Sequence, residues 1–509
     1  MNLIMNNNSN SDIDIDIGGS LHEECGVFAV AGIAGAGYAA GGAAGAWEGG
    51  AAGASNSDAA VSTYIGLFAL QHRGQESCGI AVNDAGVISC RKGPGLLTDV
   101  FDEKGLQMMK GASAIGHVRY GRGTGRYAEN AQPVAVSHMK GNLAIAYNGK
   151  LVNAGELREE IEMVGGVFHS TGHSEIIAYM IVRERIGSAS IEEAVGKTMH
   201  RLKGAYSLVA MSPRKIIAAR DPCGFRPLSI GKLDGSYIFA SESCAIDAVG
   251  GEFLRDVAPG EIIVVEGGKL VSIDSGLPVR RSLCSFEFIY FARPDSVVDG
   301  VGVDWARRET GRALARDSGV PADIVVAVPD SGLSAARGYS EESGLPDTPG
   351  LIKNRYIGRT FIQPSQGRRE REVRLKLNPM SENIRGKRIV LIDDSIVRGT
   401  TSARMVKTMR EAGAAEVHLR SSAPPFRHPC FFGTDVPNQD ALIAVGRTEA
   451  EIAEMLGADS VAFNSHESVA RIFESAGCPV CMACFTGDYP IEIPEKPDRN
   501  IFQNPIKML

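Results

Sequence analysis

Cys25 stands in HEECGVF (residues 22–28), behind a leader, MNLIMNNNSNSDIDIDIGGS (1–20), rich in Asn, Ser and alternating Asp and Ile. It reads in two ways: a small apolar residue at the start of a strand, or a nucleophile behind a leader that must be removed. A second reactive stretch is KRIVLIDDSIVRGTTSARMVKTMREAGA (387–414). Here an apolar strand runs into Asp393 and Asp394, then a loop of Ser395, Arg398, Gly399, Thr400 and Thr401, then an amphipathic helix closed by Gly413. In an open α/β sheet ligands sit beyond the carboxyl ends of strands, and a helix N-terminus flanked by small hydroxyl residues cradles phosphate. The paired aspartates are then placed to face a sugar or a magnesium ion; the plainer reading is a strand-to-helix connection with exposed acids. The third group is CPVCMACFTGDYP, with Cys478, Cys481 and Cys484 in overlapping CxxC pairs, and the distant Cys284 and Cys430. Zinc, an iron–sulfur centre, redox exchange and simple burial all suit such thiols.

These groups need elements to hold them. A chain of 509 residues is too long for one core and predicts two domains. The hydrophobic fraction of 44%, charged fraction of 22% and net charge of −7 argue against disorder of the body and against a nucleic-acid binder. Small molecules are the expected partners. No stretch has the roughly 20 consecutive apolar residues of a membrane span, and the first residues lack the basic and apolar regions of a secretory signal, so the expected location is the cytoplasm. Ten cysteines are too dilute for a disulfide scaffold. A Gly/Ala-rich stretch over residues 31–60 has few branched side chains to bury and predicts a long surface loop without readable chemistry. The rest of the first half alternates β-type runs (AYSLVAMS, KIIAARD, SYIFASE) with helical ones (TYIGLFALQHR, HSEIIAYMIVRERI), as an α+β protein with antiparallel sheets would. From about residue 300, amphipathic helices such as VDWARRETGRALARDSG alternate with the buried-looking strands of DIVVAVPD and RIVLIDD, which predicts βαβ units and a parallel sheet.

The IDDSIVRGTT string resembles the phosphoribosyl pyrophosphate signature of type I phosphoribosyltransferases. The resemblance implies that the loop 395–401 holds the 5-phosphate while Asp393 and Asp394 contact ribose hydroxyls or magnesium. VPDSG (328–332) looks like the same family's pyrophosphate loop, with Ser331 a metal contact, and the basic run 353–379 like its closing loop, mobile until an anionic substrate arrives. In the first half, LQHRGQES (70–77), GHVRYG (116–121), NAQP (130–133) and AYNGKLVN (146–153), in that order after CGVF, resemble the glutaminase domain of class II, N-terminal-nucleophile amidotransferases. The two halves together resemble the glutamine phosphoribosylpyrophosphate amidotransferase family over residues 21 to about 490.

That resemblance implies the fold, an α+β N-terminal-nucleophile domain followed by an α/β phosphoribosyltransferase domain. It divides the chain into a propeptide (1–24), a glutaminase domain (25–278), a transferase domain (279–470) and a C-terminal segment (471–509). A thiol is a far better nucleophile as thiolate, and a free α-amino group, with a pKa of about 7.7 to 8.0, can act as its base within the same residue. Cleavage after Glu24 would make Cys25 that residue. The Asn148 side chain and the Gly149 N–H would then hold the oxyanion, Arg119 would grip the glutamine α-carboxylate, and the released ammonia would pass to the second site. TGHSE (171–175) departs from the family's pattern, because His173 stands where an aspartate would bind the α-amino group and an imidazole is no anionic acceptor. GHVRYGRGTGR also carries one residue more than the usual turn. The cluster-bearing branch of the family has cysteines in CSFE, HPCF and CxxCFTG contexts, so Cys284, Cys430, Cys481 and Cys484 are implied ligands of a structural 4Fe–4S cluster and Cys478 a bystander. Cys78, Cys90, Cys223 and Cys244 are expected to be core or surface thiols. The family also implies purine nucleotide inhibitors and a tetramer. Two rivals are a phosphoribosyl pyrophosphate-binding regulator without catalysis, which an intact Cys25 and leader oppose, and a glucosamine-phosphate synthase, which has no type I phosphoribosyltransferase signature.

Overall fold

The computed structural model describes residues 25–32, 58–120, 128–354, 377–434, 436 and 438–494. The expectations for the propeptide, the Gly/Ala stretch after Gly32, the extra residue after Tyr120 and most of the basic loop lie outside the described residues.

The first half is a sandwich of a seven-stranded and a six-stranded antiparallel sheet. The strand Cys25–Ala31 lies inside the larger sheet, between Ser236–Ala240 and Ser113–Arg119. Its alternation explains the layering. Val27 and Ala29 face the other sheet, among Ala144, Ala146, Val209, Ile216 and Ile263, whereas Phe28 and Val30 face the helix Asp58–Ala69. Gly66 on that helix admits the Phe28 ring, 2.4 Å from where a Cβ would stand. The second sheet is covered by helices Ala154–Met163, His173–Ile186 and Ile191–Met199, which bury Leu157, Ile161, Ile177, Ile181 and Val195. The expected antiparallel α+β architecture is the observed one.

The second half has a four-stranded parallel sheet in the order Ile324–Ala327, Arg388–Asp393, Glu416–Ser421, Ser460–Phe463. The first two strands are short and largely apolar because helices cover both faces: Met405, Met409, Ile452 and Leu456 pack on one, Leu314, Ala335 and Tyr339 on the other. The last strand of the sheet is followed by the helix His466–Ser475. After it, Val480–Cys481 returns to pair in parallel with Leu283–Cys284.

Two candidate sites at strand ends

Cys25 opens its strand and pairs in register with Arg119, the last residue of the strand Ser113–Arg119. Two residues inward on that strand, His117 reaches across the sandwich, and its Nε2 lies 3.1 Å from the Tyr147 carbonyl. Gln132 braces the same residue from both sides: its Oε1 accepts from Tyr147 N at 2.9 Å and its Nε2 donates to Tyr147 O at 3.2 Å. Asn148 and Gly149 follow directly in the strand Gly141–Leu151, which His117 ties to the strand that ends at Arg119. Gly149 has φ +142°, and a Cβ there would sit 2.1 Å from the Ala205 carbonyl oxygen, so no other residue fits. The Asn148 side chain is 2% exposed, and its amide Nδ2 is buried without a hydrogen-bond partner. Buried donors are almost always satisfied. An orphan amide beside a glycine N–H fits a site built to receive an oxygen.

His173 is the first residue of the helix His173–Ile186, and its Nδ1 accepts from Leu151 N at 3.2 Å. Desolvation, and then the Lys150 and Arg119 charges, lower its pKa to about 3. It is therefore a neutral ring, and its accepting nitrogen is already used by the backbone. The neighbouring Asn130 and Thr171 tie the NAQP and TGHSE turns together through an Nδ2 to Oγ1 bond of 2.9 Å and an N–H to Oδ1 bond of 3.0 Å. Glu175 turns inward to accept from Ser170 N at 2.8 Å, Ser170 Oγ at 2.6 Å and His169 N at 3.0 Å. Arg73 is a residue that the motif reading did not single out. Its Nε donates to the Cys25 carbonyl at 3.0 Å, and the signal was its place in LQHRGQES.

The other candidate site lies at the carboxyl ends of the parallel strands. Asp393 and Asp394, each 6% exposed, end and follow the strand Arg388–Asp393. Asp394 Oδ1 accepts from Ser395 Oγ at 2.6 Å, and its Oδ2 accepts from Ser331 Oγ, which brings VPDSG and IDDS together. Asp393 Oδ1 accepts from Asp394 N at 2.9 Å. Burial, with the other aspartate's charge added at Asp393, raises both carboxyls above their usual range. Two carboxyls and a hydroxyl at a strand end are hard oxygen donors of the kind that magnesium takes. Gly399, at φ +80°, turns the chain into the helix Thr400–Glu411, whose first turn carries the exposed Thr400 and the partly exposed Thr401 beside Arg398. Those first N–H groups have no intrahelical acceptor.

The cysteines also converge. Cys284 pairs directly with Cys481 across the two-residue strands, and Cys430, Cys284 and Cys484 border one apolar cluster with Phe286, Phe426 and Phe485. Among the described residues, no three or more His, Cys, Asp or Glu side chains close on a point that a single ion would fill. Four thiolates are the ligand set that an iron–sulfur cluster takes, and these residues offer that donor type. Cys478 is buried in a separate apolar cluster with Leu283 and Phe473.

Residues 124–248 match the family model described as glutamine amidotransferase domain, and residues 315–424 match phosphoribosyl transferase domain. The amidophosphoribosyltransferase of Bacillus subtilis (strain 168) is 45% identical over 478 residues, covering 93% of this chain and 95% of the relative. That of Archaeoglobus fulgidus is 48% identical over 434 residues, covering 85% and 94%. Among solved structures, the B. subtilis glutamine phosphoribosylpyrophosphate amidotransferase complexed with ADP and GMP superposes with a TM-score of 0.83 at 43% identity, covering 93% of this chain and 99% of that one. A structure described as the allosteric regulatory enzyme of purine biosynthesis gives 0.84 at 44%, covering 93% and 98%. At such identity, over nearly the whole length of both halves, this chain belongs to the amidophosphoribosyltransferase family.

Proposed function

We propose that the chain carries out the first committed step of purine biosynthesis, turning phosphoribosyl pyrophosphate, glutamine and water into 5-phosphoribosylamine, glutamate and pyrophosphate. The observation that carries the glutaminase half is the buried, unpartnered Asn148 amide beside Gly149, on the strand that His117 braces. In this reading, with 1–24 removed, the Cys25 thiolate attacks the glutamine carboxamide carbon. The Asn148 Nδ2 and Gly149 N–H take the negative oxygen, and Cys25's own amine carries the proton to the departing ammonia. Water then releases glutamate from the thioester. Arg119 binds the α-carboxylate. His173, neutral and accepting from the backbone, orients the pocket and leaves the substrate ammonium without an anionic partner at that position.

Asp393, Asp394 and Ser331 would hold magnesium with the ribose and pyrophosphate oxygens, while Ser395, Arg398, Gly399, Thr400 and Thr401 take the 5-phosphate. The ion supplies charge neutralisation of the leaving pyrophosphate. The chain's own residues position the sugar so that ammonia reaches its C1 carbon. Cys284, Cys430, Cys481 and Cys484 would hold a structural 4Fe–4S cluster, placing the chain in the propeptide and iron–sulfur branch. The domains are read as 25–278, 279–470 and the segment 471–509. Purine nucleotides as inhibitors, a tetramer and a cytoplasmic location complete the proposal; no described helix is long and apolar enough to cross a membrane.

The test is Cys25→Ala. Glutamine-dependent synthesis is expected to vanish while synthesis from ammonium salts persists. Equal loss of both would remove the two-site account.

A further inference from the structure

Arg73 is 1% exposed and sits in the turn Gln71–Arg73. Beyond its bond to the Cys25 carbonyl, its Nη1 donates to Glu242 Oε1 at 2.6 Å and to Glu287 Oε2 at 3.0 Å, and its Nη2 donates to Glu287 Oε1 at 2.9 Å. Glu287, fully buried, also accepts from Arg226 Nη1 at 2.9 Å. Two arginines and two glutamates thus meet in the interior, and the partly exposed His72 joins them, its Nε2 2.8 Å from Glu242 Oε1.

Glu287 belongs to the transferase half. It opens a single π-helical turn, Glu287–Phe291, of a kind that often marks functional sites. The turn is held from the other side by Arg307 of the helix Val303–Ser318, which donates to the carbonyls of Phe288 at 2.7 Å, Tyr290 at 2.9 Å and Ala292 at 2.7 Å. That helix is in turn bound to the transferase loop: Asn464 Nδ2 donates to Thr310 O at 2.9 Å and to Ser422 O at 2.8 Å, and Ser422 Oγ donates to Asp394 O at 3.2 Å.

A buried ion cluster is by itself weak evidence for stability, because desolvation offsets most of the attraction. What distinguishes this one is its end point. The guanidinium that Glu287 fixes through both Nη1 and Nη2 is the group that fixes the backbone of Cys25, whose thiol and amine must keep a set geometry to react. We propose that Glu287 is a positioning residue for glutamine hydrolysis, acting from the transferase half through Arg73 on the Cys25 backbone. The inference rests on the reading of Cys25 as the nucleophile.

Glu287→Gln keeps the side chain's shape and one acceptor but removes the charge that fixes Arg73. The expected result is a fall in kcat for glutamine hydrolysis of roughly ten-fold or more, since small misplacement of a reacting group is costly. The KM for glutamine and the ammonia-dependent rate should stay within about two-fold of the parent. An unchanged glutaminase kcat, or an equal fall in the ammonia-dependent rate, would overturn the proposal. Where the single variant does not fold, Glu287→Gln combined with Arg226→Gln removes one charge of each sign, and the same split decides. Failure of both to fold would make the cluster a folding element and also overturn it. Glutamine hydrolysis surviving in Cys25→Ala would instead refute the underlying reading.

Discussion

Asn148 shows how much can rest on one side chain. A buried amide without an acceptor costs about 1 to 3 kcal/mol, so its retention argues for an acceptor that arrives with the substrate and is strongest when charge develops on it. Asn148→Ala is therefore expected to lower kcat for glutamine by about 10² to 10³, with KM little changed and ammonia-dependent synthesis unaffected. Steady-state assays with each nitrogen source check this, and a rise in KM alone would assign Asn148 to ground-state binding. Asn148, like Cys25 and the two aspartates, was legible in the sequence because motif context names such residues. Arg73 was marked only by its place in LQHRGQES, and Glu242 and Glu287 not at all. Arg73 meets them across 169 and 214 residues of chain, and no local pattern encodes pairings so distant in sequence. His173 was legible as a departure, but its neutral state and its bond to Leu151 N needed the fold.

The strands place these residues, and one histidine braces the strands. Burial, and then the Arg119 charge, lower the His117 pKa from 6.5 to about 3, against the raising effect of its bond to Tyr147. The unfolded chain would thus bind a proton between those values that the folded chain refuses, so this group makes stability rise with pH across the window. As pH falls from 6.5 toward 3 the share of stability that His117 supplies is lost progressively. His117→Gln should flatten the acid limb of the thermal midpoint against pH by that share. An identical limb in both proteins would show that His117 is protonated in the fold. The periodicity that located these strands and the parallel sheet was plain in the sequence; the cross-sheet brace was not, because its partner is the backbone of Tyr147, which any side chain presents.

Across the whole molecule, the two halves and the tail meet where the cysteines do. Ala205, Cys223 and Phe225 of the glutaminase half share one apolar cluster with Phe432 of the transferase half and with Cys481 and Ala483 of the returning segment. The Phe225 and Phe432 rings stack with centroids 4.2 Å apart. Arg280 Nη1 donates to Pro490 O at 2.9 Å, fastening the tail beside them. The paired residues Cys284 and Cys481 sit at this junction, so a cluster bound there would hold the segment to the transferase half and, through the stacked rings, to the glutaminase half. Cys481→Ser keeps the size of the side chain but gives up a soft ligand. It should lose bound iron and the broad visible absorption of the parent, lower the thermal midpoint, and reduce glutamine-dependent and ammonia-dependent synthesis together, since the junction serves both sites. Cys478→Ser, in its separate apolar cluster, should keep its iron. A parent protein that is colourless and carries stoichiometric zinc would replace the iron cluster with a zinc site, and iron lost equally from both variants would mean that the four-cysteine assignment is wrong.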